Sequence, residues 1–160
     1  MKRQHPARKV GIGELAVSAD GTPLQTMGVG SCLGVALYDA DAGVGGLVHV
    51  MLPEADADPA NPRRFTDTGI RELVTAVTDA GADRESLAAK VAGGSRMFDF
   101  SGESGHVGER NAAVARRTLD DAGIPIAGID VGGDYGRSLR FDPETGVLVV
   151  DGVDAGRTEI

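Results

Sequence analysis

Leu33-Gly34-Val35-Ala36-Leu37-Tyr38-Asp39-Ala40-Asp41-Ala42-Gly43-Val44-Gly45-Gly46-Leu47-Val48-His49-Val50-Met51-Leu52-Pro53 is the stretch that decides the fold. Leu33, Val35 and Leu37 alternate with smaller residues, which is a strand pattern. Asp39-Ala40-Asp41-Ala42-Gly43 is turn chemistry: Asp side chains bond nearby backbone, and glycine accepts left-handed conformations. Val44 to Leu52 is a second apolar run of strand length, closed by Pro53. Together the runs predict a β-hairpin.

Upstream, Glu14 to Ser18 reads as a first strand after the Gly-rich start Val10–Gly13. Downstream, residues 54–64 form a loop by composition, with Asp56, Asp58, Pro59, Asn61 and Pro62. Thr66 or Asp67 is placed to cap a helix with the apolar face Ile70, Leu73, Val74 and Val77, ended by Gly81. Leu87 to Val91 is a short strand stopped by Gly93-Gly94, and a polar, Gly-rich loop runs on through Gly108. A second helix is predicted from about Glu109 to Ala122, with the stripe Ala112, Ala115, Leu119 and Ala122. Its small residues let it lie close to a sheet, and Gly123 and Pro125 stop it.

Ile126–Val131, Ser138–Phe141 and Val147–Val150 read as closing strands, joined by turns at Gly132–Gly136 and Asp142–Gly146. About seven strands and two helices, not strictly alternating, argue against a doubly wound parallel sheet. The predicted class is α+β: a layered sandwich of mixed or antiparallel β-sheets with about two main helices packed outside. Residues 1–9 read as a polar basic tail and residues 10–160 as a single domain.

A chain of 160 residues, 41% hydrophobic and 25% charged, can bury a core without metal or disulfide staples. Lys2, Arg3, Arg8 and Lys9 lie in the tail, yet the net charge is −8, so phosphate backbones are repelled. With 4% aromatics and no Trp there is no base-stacking surface either, and nucleic acid is excluded as a partner. Asp (16) outnumbers Glu (8) and Lys occurs three times, a composition suited to a high-salt cytosol. No segment has the length of a membrane span, and the basic start lacks the apolar run of a signal peptide. These features place the protein in the cytoplasm, without membrane insertion. One cysteine and three histidines are too few for a Cys-rich zinc site, and no metal or cofactor is expected.

The single cysteine sits in Thr26-Met27-Gly28-Val29-Gly30-Ser31-Cys32-Leu33-Gly34. A Gly30-Ser31-Cys32 turn can put sulfur at a strand end with backbone N–H groups free to hold an oxyanion. If the hairpin forms, its open ends bring Cys32 beside His49, which can take the thiol proton, lower the thiol pKa and give a thiolate–imidazolium pair. A third polar group must orient the imidazole, and Thr26 and Ser31 are the hydroxyl candidates. The competing reading is a buried structural cysteine and a hydrogen-bonded core histidine. His106 is a rival base in the polar loop, while His5 lies in the tail. A redox sensor at Cys32 would have no second cysteine to resolve it.

Gly28-Val29-Gly30-Ser31-Cys32-Leu33-Gly34 resembles a dinucleotide fingerprint but has its third glycine one place late, and no crossover helix follows. Glu109 suits the positive end of a helix, and Arg110 and Asn111 can buttress the site through side-chain hydrogen bonds. Gly132 to Arg137 reads as a turn.

The chain resembles a known family, the CheD chemoreceptor glutamine deamidases, at Thr26–Cys32, His49–Pro53, Gly93-Gly94-Ser95-Arg96-Met97-Phe98, Val107–Asn111 and Asp130–Arg137. The resemblance implies a Cys–His–Thr triad at Cys32 (nucleophile), His49 (general acid and base) and Thr26 (orienting His49), with Gly30 and Ser31 supporting the oxyanion. Phe98, Glu109, Arg110 and Asn111 are candidates for supporting the site from behind or for a substrate or partner surface, and the resemblance implies a fold similar to the deamidating-toxin cysteine hydrolases. It further implies hydrolysis of glutamine side chains on the cytoplasmic helices of methyl-accepting chemotaxis receptors. That is a protein-glutamine glutaminase activity releasing ammonia, with a receptor methylesterase side activity chemically open. A CheC-type phosphatase is the implied partner, and a non-catalytic module that binds and regulates such a phosphatase is the alternative.

Overall fold

The computed structural model describes residues 6–56, 58–96 and 106–160. Its strands are β1 (Arg8–Lys9), β2 (Leu15–Ser18), β3 (Leu24–Val29), β4 (Leu33–Asp39), β5 (Val44–Val50), β6 (Ala88–Gly93), β7 (Ile126–Val131), β8 (Arg137–Phe141), β9 (Leu148–Gly152) and β10 (Gly156–Glu159). The helices are α1 (Thr66–Asp79) and α2 (His106–Asp121). They build two five-stranded mixed sheets, ordered β1-β3-β8-β9-β10 and β2-β5-β4-β6-β7. Both helices pack on the second sheet, so the layers run helices, sheet, sheet. This is the α+β layered sandwich expected.

The hairpin forms the centre of the second sheet. Leu33 faces Val50, Gly34 faces His49 and Asp39 faces Val44 across the β4–β5 pair. At the turn, Asp39 accepts from the N–H of Ala42 and, through its other oxygen, from that of Asp83, and Gly43 takes φ +69°. Every residue of β5 is buried, because the helices cover one face of the sheet and the first sheet covers the other. Two-sided burial makes the run continuously apolar, where a half-solvated strand would alternate. The glycines admit the neighbouring layers. A Cβ at Gly46 would lie 2.7 Å from Leu73 Cδ1, and one at Gly34 would collide with Leu139.

On the helix side the core joins Val35, Leu37, Val48 and Val50 to Ile70, Leu73, Val77 and Leu119. Between the sheets it joins Leu24, Val29, Ala36 and Leu47 to Leu139, Phe141, Leu148 and Val150.

Among the described residues ten strands form, where about seven were expected. Arg8 and Lys9, read as tail, pair in parallel with Leu24 and Gln25. β3 escapes a periodicity search because its pairing with β8 is irregular between Thr26 and Val29, with Gly28 at φ +69°; the bulge breaks the alternation. β10 is exposed throughout and carries no apolar signal. α2 begins at His106, about a turn before the expected start.

Candidate active site

The chain leaves β3 in one sheet and enters β4 in the other through Gly30-Ser31-Cys32. Cys32 is half-buried and packs against the cluster between the sheets. It lies two residues before Gly34, the cross-strand partner of His49. Cys32 directly precedes β4, so the open end of the hairpin carries it next to the end of β5 that holds His49. The main chain of His49 is fixed from β2's approach: its N–H donates to Glu14 O (3.1 Å), and its carbonyl accepts from Gly13 N–H (2.8 Å).

The His49 ring is fully buried and meets Thr26 of the opposite sheet, with Oγ1 and Nδ1 2.7 Å apart. Thr26 Oγ1 also lies 2.6 Å from the carbonyl oxygen of Val10, to which it donates. A hydroxyl has one proton. With that proton on Val10, Oγ1 can only accept from His49, so Nδ1 carries the hydrogen and Nε2 the lone pair. Nε2 is buried and has no partner among the described residues. An imidazole held in this tautomer is equipped to take a proton from a neighbouring thiol. Of the two hydroxyl candidates, Thr26 is the one that meets His49; Ser31 contributes its carbonyl elsewhere.

Burial lowers the His49 pKa to about 4 and pushes the Cys32 thiol up, its own backbone N–H acting weakly in the other sense. Both directions favour the uncharged forms. The resting site is a thiol beside a neutral imidazole, and the lowered thiol pKa expected from the sequence is replaced by a raised one. The physical reason is that the third member is a neutral hydroxyl, which offers no charge to offset burial of an imidazolium.

The crossover is pinned from behind. Gly30 O accepts from Ser95 N–H (3.0 Å), and Cys32 O from Gly94 N–H (2.7 Å). Between them, Ser31 O accepts from Asn111 Nδ2 (2.9 Å), which also donates to Met51 O (3.1 Å). Asn111 is fully buried on α2. It can reach because Gly108, one turn earlier, has no side chain: a Cβ there would lie 2.6 Å from the carbonyl oxygens of both Gly94 and Ser95. Gly108→Ala is expected to force the helix outward and cost about 1–3 kcal/mol, read as a lower urea midpoint with unchanged slope.

The remaining expected residues divide. Glu109 is exposed and pairs with Arg96, and Arg110 is exposed. His106 is exposed and lies 3.9 Å from Glu109. Phe98 lies outside the described residues. Met27, Met51 and Leu52, in the segments that flank Cys32 and His49 in sequence, are exposed apolar side chains.

Sequence reading missed Val10, whose carbonyl sets the Thr26 proton, and Arg137. The Arg137 guanidinium is buried, donates to Gly93 O (3.3 Å), pairs with Asp130 (3.2 Å) and stacks 4.4 Å over Tyr135. The signal was present: in Arg137-Ser138-Leu139-Arg140-Phe141 the inward positions are 137, 139 and 141. Among the described residues no three His, Cys, Asp or Glu side chains converge as a metal site.

A helix-backed pair of sheets with a cysteine at the crossover and a threonine-tethered imidazole on the adjoining strand defines a domain with one candidate thiol–imidazole site. The family model described as CheD chemotactic sensory transduction matches residues 51–152. The "Probable chemoreceptor glutamine deamidase CheD" of Haloarcula marismortui is 50% identical over 143 residues, covering 89% of this chain and 83% of that one. The protein of the same name from Natronomonas pharaonis is 46% identical, covering 95% and 92%. A third, from Lachnoclostridium phytofermentans, is 41% identical, covering 95% and 97%. This chain belongs to the CheD family. The span matched by the family model begins after Cys32 and His49, so the parts given to Thr26, Cys32 and His49 rest on their geometry.

Proposed function

We propose that this protein hydrolyses the side-chain amides of selected glutamines on the cytoplasmic helices of chemoreceptors, giving glutamate and ammonia in support of chemotactic adaptation. The observation that carries this reading is the His49 tautomer: Nδ1–H is committed to Thr26, and the buried Nε2 lone pair is unpartnered among the described residues. The names of the relatives supply the substrate class.

The Cys32 sulfur attacks the amide carbon as its proton passes to His49 Nε2. Negative charge develops on the amide oxygen, where the Cys32 backbone N–H receives it. The imidazolium returns its proton to the leaving nitrogen, ammonia departs, and a thioester to Cys32 remains. Water then attacks the thioester, giving one proton to Nε2 and adding its oxygen to the carbonyl carbon. Collapse expels sulfur, which regains the proton from His49, and the glutamate side chain is released. Nucleophilic sulfur thus arises during attack, from a neutral pair. A receptor glutamyl methyl ester would enter the same thioester with methanol leaving. A CheC-type phosphatase seated on the exposed Met27, Met51 and Leu52 would regulate access to Cys32.

Incubation with a receptor cytoplasmic fragment is expected to release ammonia, and its pH profile is diagnostic. The base must be neutral, and His49 is neutral above about pH 4. The rate constant kcat/KM should hold through the ordinary imidazole range near 6.5 and fall only toward pH 4. Stability changes in the same sense. The unfolded chain binds the His49 proton near pH 6.5 and the folded one only near 4, so folding loses roughly 3 kcal/mol as pH falls across that window. Rates are therefore read on the folded fraction. No ammonia from the fragment, or an acid limb centred near 6.5, would refute the reading.

A further inference from the structure

We propose that Asn111 is a positioning residue that aims the oxyanion-binding N–H of Cys32; this rests on the acyl-transfer reading above. The Ser31 carbonyl and the Cys32 N–H belong to one planar peptide unit and point in opposite directions. Whatever holds the carbonyl sets the direction of the N–H. Asn111 Nδ2 holds it at 2.9 Å.

The neighbouring peptide units leave the Ser31–Cys32 plane as the adjustable one. Backbone N–H groups take the Gly30 and Cys32 carbonyls, at 3.0 and 2.7 Å. The Ser31 carbonyl between them is held by a side chain. Neither the Ser31 nor the Cys32 N–H has a backbone acceptor among the described residues. With the Ser31 carbonyl drawn toward α2, the Cys32 N–H of the same peptide plane points away from that helix, and there it meets the substrate carbonyl in the reading above. The second bond of Asn111, to Met51 O at 3.1 Å, ties the same amide to the chain two residues past His49. One side chain thereby fixes the donor relative to both the sulfur and the base. Pre-aligned donors act on charge that develops during attack, so their loss appears in kcat.

The test compares wild type with Asn111→Ala. Should Asn111→Ala fail to fold, Asn111→Leu, which fills similar space without a donor, carries the test. Three rates are measured: ammonia release from a receptor cytoplasmic fragment, hydrolysis of p-nitrophenyl acetate, and alkylation of Cys32 by iodoacetamide. Alkylation needs the sulfur but forms no oxyanion. The expected result is a kcat for amide and ester lower by about 100-fold, with KM and alkylation rate unchanged. Wild-type kcat in the variant, or turnover and alkylation falling together as in a merely loosened site, would overturn the proposal. Wild type that hydrolyses the ester but releases no ammonia from the receptor removes the glutamine substrate and leaves the assignment of Asn111 to be decided on the ester. Wild type inactive on both would overturn both readings.

Discussion

Cys32→Ala is expected to lower ammonia release by at least about 10⁴-fold, to the level of the uncatalysed reaction on a receptor fragment. The expected size follows from where the sulfur sits. The single cysteine lies at the crossover between sheets, so no other thiol can take over. Without it the site retains donors and an imidazole but no atom to form the thioester. The fold should persist, because Cys32 is only half-buried and alanine removes one heavy atom at the edge of the inter-sheet cluster. Circular dichroism and the urea midpoint check that the loss is chemical. Retained turnover in a folded Cys32→Ala protein would remove the nucleophile from the account.

His49→Gln comes next, with an expected loss of about 10²–10⁴-fold in kcat, the range for a positioned general base. Glutamine is polar and of comparable reach, so it limits the cavity that alanine would open at a fully buried position. It cannot accept the thiol proton. The expected signature is a rate that rises with pH as hydroxide replaces the lost base, in place of the plateau above pH 4. Iodoacetamide alkylation of Cys32 should also slow at neutral pH, since burial already raises the thiol pKa and only a neighbouring base can take its proton. A His49→Gln protein with wild-type turnover would show that His49 is core and not chemistry.

How much of this was legible in the sequence follows from what each signal encodes. The β4–β5 hairpin was legible because burial on both faces left an apolar run on each side of an Asp-Gly turn. From it the proximity of Cys32 and His49 follows, since antiparallel strands bring their open ends together. The helices were legible from their buried stripes, Ile70-Leu73-Val77 and Ala112-Ala115-Leu119. The third member was not legible from spacing, because Thr26 reaches His49 from the other sheet and sits beside a bulge. The same holds for Asn111: its bonds to Ser31 and Met51 join residues 80 and 60 apart in sequence. Local pattern suggests that a polar side chain will buttress something; only packing says what. The pKa direction was misjudged because sequence shows the neighbouring imidazole but not the burial, and at this site burial wins.

Peptide mapping of a receptor cytoplasmic fragment by mass spectrometry, after incubation with wild type and with Cys32→Ala, tests the central claim most directly. The expected result is the small mass gain of amide-to-acid conversion at specific glutamines with wild type, and none with the variant. Glutamines left intact by wild type, or converted equally by Cys32→Ala, would contradict it.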